Sequence, residues 1–191
     1  MRIKVFYIFT ALLIILGCGQ SLQRSYTAPD YNPSAMKKIV VAPFQNLTSY
    51  PHAGVIISDL IASEFIRRGG ILIVKRDKVE RYLTELKMEN EIIDRSLATE
   101  IGRALKADVV LFGSVSQFWY QETKDRYPDW EPTVAVNARL VDVDSEEVVW
   151  ATSTSRCGSA AFTYLLHDSK EALQNVAQAT VKELCSSLMG H

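Results

Sequence analysis

Groups that do chemistry are scarce in this chain. It has three histidines, three cysteines and nine glycines in 191 residues. His52, His167 and His191 stand far apart and share no metal-ligand spacing, and neither His-Glu-x-x-His nor Cys-x-x-Cys occurs. No glycine-rich phosphate loop is present, and Gly113-Ser114-Val115-Ser116 lacks the further glycine of a nucleophile elbow. These absences exclude the usual metal, nucleotide and serine-hydrolase sites. A non-enzymatic chain is expected, with a hydrolase of unrecognised site as the remaining enzymatic reading. Basic excess is also missing: 21 Lys and Arg stand against 22 Asp and Glu, which argues against nucleic acid as a partner.

The N-terminus does carry a pattern. Basic Met1-Arg2-Ile3-Lys4 precedes an apolar run from Val5 to Leu16, then Ile15-Leu16-Gly17-Cys18, the grammar of a secretory signal with small Gly17 at the cleavage position. The cysteine behind it resembles a bacterial lipobox, with Ile15 in place of the usual leucine. That resemblance implies that Cys18 becomes the mature N-terminus and carries covalent lipid; no other cofactor and no metal is expected. The alternative is an uncleaved anchor, but a run of about twelve residues falls short of the roughly 20 that a spanning helix needs. Gly19 follows Cys18 where an aspartate would signal inner-membrane retention in Gram-negative lipoproteins. The expected address is therefore the periplasmic face of the outer membrane. Removal of residues 1–17 leaves 174 residues, with 19 basic against 22 acidic side chains.

Residues 18–36 are expected to form the lipidated N-terminus and a flexible tether, polar and broken by Pro29 and Pro33. Residues 37–191 fit one domain large enough for a real core. Lys38 to Pro43 forms a short apolar strand. Gly54 to Arg68 turns helical, with Ile57, Leu60, Ile61 and Phe65 on one face and Gly69-Gly70 as the stop. Ile71 to Val74 is a strand. Helices follow from Asp77 to Met88 and from an N-cap at Asp94. Ala107 to Ser116 is a strand whose continuous apolar run implies a sheet covered on both faces. Val134–Asp142 and Val148–Thr154 pair as a hairpin. A last helix opens at Asp168, with Glu171 completing a capping box. The fold class is α/β: a single domain, mixed sheet, order β-α-β-α-α-β-β-β-α.

Three features remain as candidates. Cys157 and Cys185 form an even pair in an oxidising compartment, so they either close a disulfide or sit as two buried thiols. Phe118, Trp119, Tyr120, Tyr127 and Trp130 crowd the connection between two strands. They either anchor a protein partner or cap the end of the core. Glu80, Glu85, Glu89 and Glu91 form a solvated helix face, and Asn46-Leu47-Thr48 matches a glycosylation sequon that a bacterial lipoprotein would rarely use.

Three ordered segments carry a resemblance to a family. Ile39-Val40-Val41-Ala42-Pro43-Phe44-Gln45-Asn46 leads to Ser58–Phe65 and Ile73–Asp77. Gly102–Val115 follows, and then Val136–Val143 with Glu147-Val148-Val149-Trp150. Together they resemble the superfamily of envelope lipoproteins that includes the curli-assembly lipoprotein CsgG and the penicillin-binding-protein activator LpoB. Where relatives often have Thr-Gly in the last turn, this chain has Ser145-Glu146. The resemblance implies a compact α/β domain without enzymatic activity. Pore formation by this chain alone is not expected, because a spanning strand needs about 9–11 residues and Gln117–Thr133 is too charged and proline-broken. The expected function is a periplasmic scaffold or adaptor subunit in an envelope assembly or secretion complex, with an envelope protein as partner, self-association into a homo-oligomer as a further expectation, and the membrane reached through the lipid anchor. The second reading is a tethered activator of a cell-wall synthase.

Overall fold

The computed structural model describes residues 21–88, 91–122, 130–158 and 169–190. In chain order the elements are β1 (Ser21–Thr27), β2 (Lys38–Val41), β3 (Gln45–Asn46), α1 (Ala53–Arg68), β4 (Leu72–Ile73), α2 (Arg76–Glu85), α3 (Arg95–Leu105), β5 (Val109–Glu122), β6 (Trp130–Asp142), β7 (Val148–Cys157) and α4 (Ser169–Met189). They build one mixed sheet in the order β1-β7-β6-β5-β2-β4, with β3 also beside β5. The β2, β3, β4 and β5 pairings are parallel; β5, β6, β7 and β1 run antiparallel. From β2 onward the order is the expected β-α-β-α-α-β-β-β-α with the two-residue β3 added after β2.

The sheet separates two cores. On one face Ile39, Val41, Leu111, Leu140 and Trp150 pack under α1 and α4. On the other, Val40, Ala42, Val110, Phe112 and Val141 pack under α2 and α3. Successive residues of a strand point to opposite faces, so a strand with a core on each side must be apolar throughout. That is why β2 and the first half of β5 read as unbroken apolar runs. Two helix termini follow their sequence signals: α1 stops at Gly69, and Asp94 Oδ1 accepts from Leu97 N at 2.9 Å at the start of α3; α2 spans Arg76–Glu85, against the expected Asp77 to Met88. The expected opening of the last helix at Asp168 lies outside the described residues, but the apolar stripe of α4 from Leu173 to Leu188 is buried as read.

Two expectations are corrected. Residues 21–36 do not run as a flexible tether. Ser21–Thr27 adds an edge strand to β7, in register from Ser21 opposite Arg156 to Thr27 opposite Trp150. The chain then turns through Pro33–Ala35, where the Tyr31 hydroxyl donates to Leu188 O at 3.2 Å and Met36 is buried. The strand escaped notice because backbone pairing holds it. Its side chains lie almost wholly in solvent, so no apolar alternation marks it. The second correction concerns Gln117–Thr133, read as a loop. β5 and β6 continue to Glu122 and Trp130 as one long hairpin.

The turn after β6 explains the missing Thr-Gly. Glu146 sits at φ 61°, the left-handed region that favours glycine. Its side chain pairs with Arg103 of α3, and its carbonyl accepts from Arg95 Nη1 at 3.2 Å.

Charge ties α1 to α4. Glu64 accepts from Arg67 Nε at 2.7 Å, Arg67 Nη2 at 2.6 Å and Arg68 Nε at 2.8 Å, and Arg68 Nη2 reaches Ser186 Oγ at 2.8 Å and Lys182 O at 3.1 Å. The hydrogen bonds from Arg67, against some desolvation and with help from Arg68, lower the Glu64 carboxyl to about 2. A carboxyl lowered on folding stabilises the fold above its ordinary value near 4.5 and loses that contribution as pH falls towards 2. Melting temperature of the native chain should therefore drop over that window. Glu64→Gln should flatten the drop, read by thermal melts at stepped pH. A wild-type slope retained in the variant would put the acid sensitivity elsewhere.

Candidate functional site

The sequence motifs resolve first into structure. Phe44 of Pro43-Phe44-x-Asn46 is buried, and its N–H donates to Ser58 Oγ of α1 at 3.0 Å. Ser58 Oγ in turn donates towards Gly54 O at 2.9 Å. Asn46 Oδ1 accepts from Thr48 N at 3.0 Å and Thr48 Oγ1 at 2.8 Å, and Asn46 Nδ2 donates to Tyr50 O at 2.8 Å. The sequon is thus an Asx turn that shapes the loop into α1. Gly113-Ser114-Val115-Ser116 lies inside β5 and makes no strand-to-helix turn. Among the described residues no three His, Cys, Asp or Glu side chains converge to hold a metal. His52 is exposed at the start of α1; His167 and His191 lie outside the described residues.

Cys157 and Cys185 are free thiols, so the disulfide alternative falls. Cys157 ends β7, and the next residue, Gly158, abuts Val176 of α4. Cys185 lies nine residues further along α4, about 13 Å at 1.5 Å per residue, beyond the 7 Å or so that a bridge allows. Burial pushes the Cys185 thiol up to about 12, which leaves it inert.

The aromatic stretch divides. Phe118 is 2% exposed and packs on Tyr50, ring centroids 4.8 Å apart, so it is a core residue and not a docking one. Trp119 is 43% exposed. The reason is a bulge at Ser116, where the β5–β6 register shifts between Val115 and Gln117. Strict alternation from buried Val115 would send Trp119 inward and Phe118 out. One extra residue reverses both. Trp130 opens β6 and Tyr120 lies in β5, while Tyr127 lies outside the described residues, as do Cys18 and Gly19.

A second surface was not legible in the sequence. Between α1 and the β2–β4 edge lies a mainly apolar cleft of about 180 Å³, with Pro43, Val55, Ala62, Ile66 and Ile73 among its walls. At its rim Arg76 Nη1 meets Asp59 Oδ2 at 2.8 Å, and Arg76 Nε meets Glu80 Oε1 at 2.6 Å. Ile66 and Leu72, each 70% exposed, stand on this edge. Such an arrangement can bind an apolar side chain beside a polar rim.

A family model described as peptidoglycan-synthase activator LpoB matches residues 19–155. The chain belongs to this LpoB family. A search of curated proteins returns no match. Among solved structures, the PelC dodecamer from Paraburkholderia phytofirmans superposes with TM-score 0.61 at 23% identity, over 90% of this chain and 99% of that one. The lipoprotein GNA1162 from Neisseria meningitidis gives TM-score 0.55 at 18% identity, over 78% and 98%. The hypothetical protein CT253 from Chlamydia trachomatis gives 0.53 at 13%, over 82% and 97%. These likenesses show the shared fold. The chain thus has the CsgG/LpoB-like α/β fold that its sequence segments resemble.

Proposed function

We propose that this LpoB-family chain is a lipid-anchored regulator that binds a cell-wall synthase in the periplasm and raises its activity. The family match from β1 through β7 carries this reading. Cys18 would hold the protein on the periplasmic face of the outer membrane. The cleft between α1 and the β2–β4 edge would receive an apolar side chain of the synthase, with Asp59 and Arg76 fixing its orientation. Because β1 starts three residues after Cys18, the domain cannot reach out on a long tether, and the synthase has to extend to it.

That same short link favours a second reading, a ring-forming scaffold subunit on the membrane. Among the described residues β1 and β4 stand at the two ends of the sheet, and edges that differ suit head-to-tail contacts that close rings. The fold likeness to PelC, itself a dodecamer, is compatible with it.

One experiment separates the two. The acylated protein is added to cell-wall synthases of the same host, glycan polymerisation is followed, and mass is measured by light scattering in mild detergent. Activation that Ile66→Asp and Leu72→Asp abolish, with unchanged circular dichroism, supports the regulator. A discrete large oligomer without activation of any synthase replaces it with the scaffold.

A further inference from the structure

We propose that the end of the sheet where β5 and β6 project beyond β7 lies against the lipid bilayer, with Trp119 at headgroup depth. The inference rests on acylation of Cys18.

The argument is one of length and direction. Ser21 is three residues from Cys18, so the first residue of β1 lies within about 10 Å of the lipidated one even when the link is fully stretched. Ser21 therefore marks the membrane-proximal row of the sheet. That row runs from Ser21 to Arg156, then Val134, then Phe118. Following β1 back towards Cys18 means following β7 forward, β6 backward and β5 forward. The hairpin overhangs the row in that same direction. From Val134 to Trp130, and from Phe118 to Glu122, it continues by four residues, about 13 Å at 3.3 Å each. The hairpin thus reaches at least as far as the acylated cysteine.

Side chains agree with the direction. Trp119, half-exposed, stands on the overhang, and exposed Leu22 and Leu47 lie near the same end, as does Tyr50 on Phe118. Tryptophan and tyrosine settle where hydrocarbon meets headgroups, because a ring can face the chains while its N–H or O–H stays hydrated. The segment from 119 to 132 also holds Lys124 and Arg126 against Glu122, Asp125, Asp129 and Glu131. A segment of that composition is too charged to enter hydrocarbon. The occupant of this end is a membrane surface.

The chain has three tryptophans, and Trp150 is fully buried in the core, so it serves as an internal reference. Acylated protein is floated with phosphatidylethanolamine–phosphatidylcholine vesicles whose acyl chains carry bromine, and tryptophan emission is compared with that in unbrominated vesicles. In a Trp130→Phe background, where Trp119 and Trp150 remain, the expected result is a loss of intensity that Trp119→Phe removes, leaving the emission of Trp150. Protein that floats with unquenched emission overturns the orientation while the anchor stands. Protein that fails to float removes the anchor and the orientation with it. Unquenched emission together with lost synthase activation in Trp119→Phe assigns the hairpin to a protein partner instead.

Discussion

Gly54→Ala is expected to lower the melting temperature by about 10 °C or more, the reverse of its usual effect in a helix. Alanine is normally the better helix former by about 1 kcal/mol. Here a Cβ would stand 2.0 Å from Phe44 O and 3.0 Å from Phe44 C, and both are backbone atoms. Phe44 cannot retreat. Its N–H is held by Ser58 Oγ, and its ring lies against Gly113, where a Cβ would come within 2.7 Å of Cε1. Overpacking a core typically costs about 1–3 kcal/mol, and a clash with fixed backbone belongs at or above the top of that range. At about 2–4 °C per kcal/mol for a chain of this size, a shift near 10 °C follows. Differential scanning calorimetry of the two proteins checks it. A variant as stable as the parent would mean that the β2–α1 turn is free to shift away from the helix, contrary to the packing described.

Trp150→Ala should be comparably damaging for the opposite reason, an excavated core. Trp150 is fully buried between β7 and α4, and its Nε1 donates to Ser187 Oγ at 3.3 Å. Removing a buried tryptophan side chain costs about 3–5 kcal/mol through lost burial plus the cavity left behind. Urea unfolding should show the midpoint falling with little change in slope. Ser187→Ala is the control: it removes only the long hydrogen bond and should cost about 1 kcal/mol or less. If the two variants proved equal, the hydrogen bond and not the packing would be what joins the strand to the helix.

These two positions also mark what a sequence can and cannot tell. Trp150 sits in an alternating strand and Gly54 at the start of an amphipathic helix, and both elements were read correctly from periodicity. The double-sided runs at β2 and β5 were equally plain, because burial on both faces leaves no polar position to blur them. β1 was invisible, since an edge strand stabilised by its backbone asks little of its side chains. Phe118 and Trp119 were indistinguishable, since adjacent aromatics swap faces with a single bulged residue and no residue type announces a bulge. The cleft by Ile66 and Leu72 was hidden for another reason: it is made by segments brought together only in the folded chain. The proposed address near the N-terminus rests on contiguous residues alone and draws nothing from the fold.

A strand that begins three residues after the proposed lipid anchor, Cys18, does more than set a distance. With the proposed anchor in place, the domain loses the freedom to tumble and keeps only sliding and spinning within the plane of the leaflet. Every copy then presents its β1 and β4 edges at the same height, with the strands rising from the surface. Encounter between copies becomes a two-dimensional search among pre-aligned partners, so effective concentration rises without any new contact. Edge contacts too weak to hold two molecules together in detergent can then close a ring on a membrane, and the acyl chains become part of the assembly's specificity as well as its address.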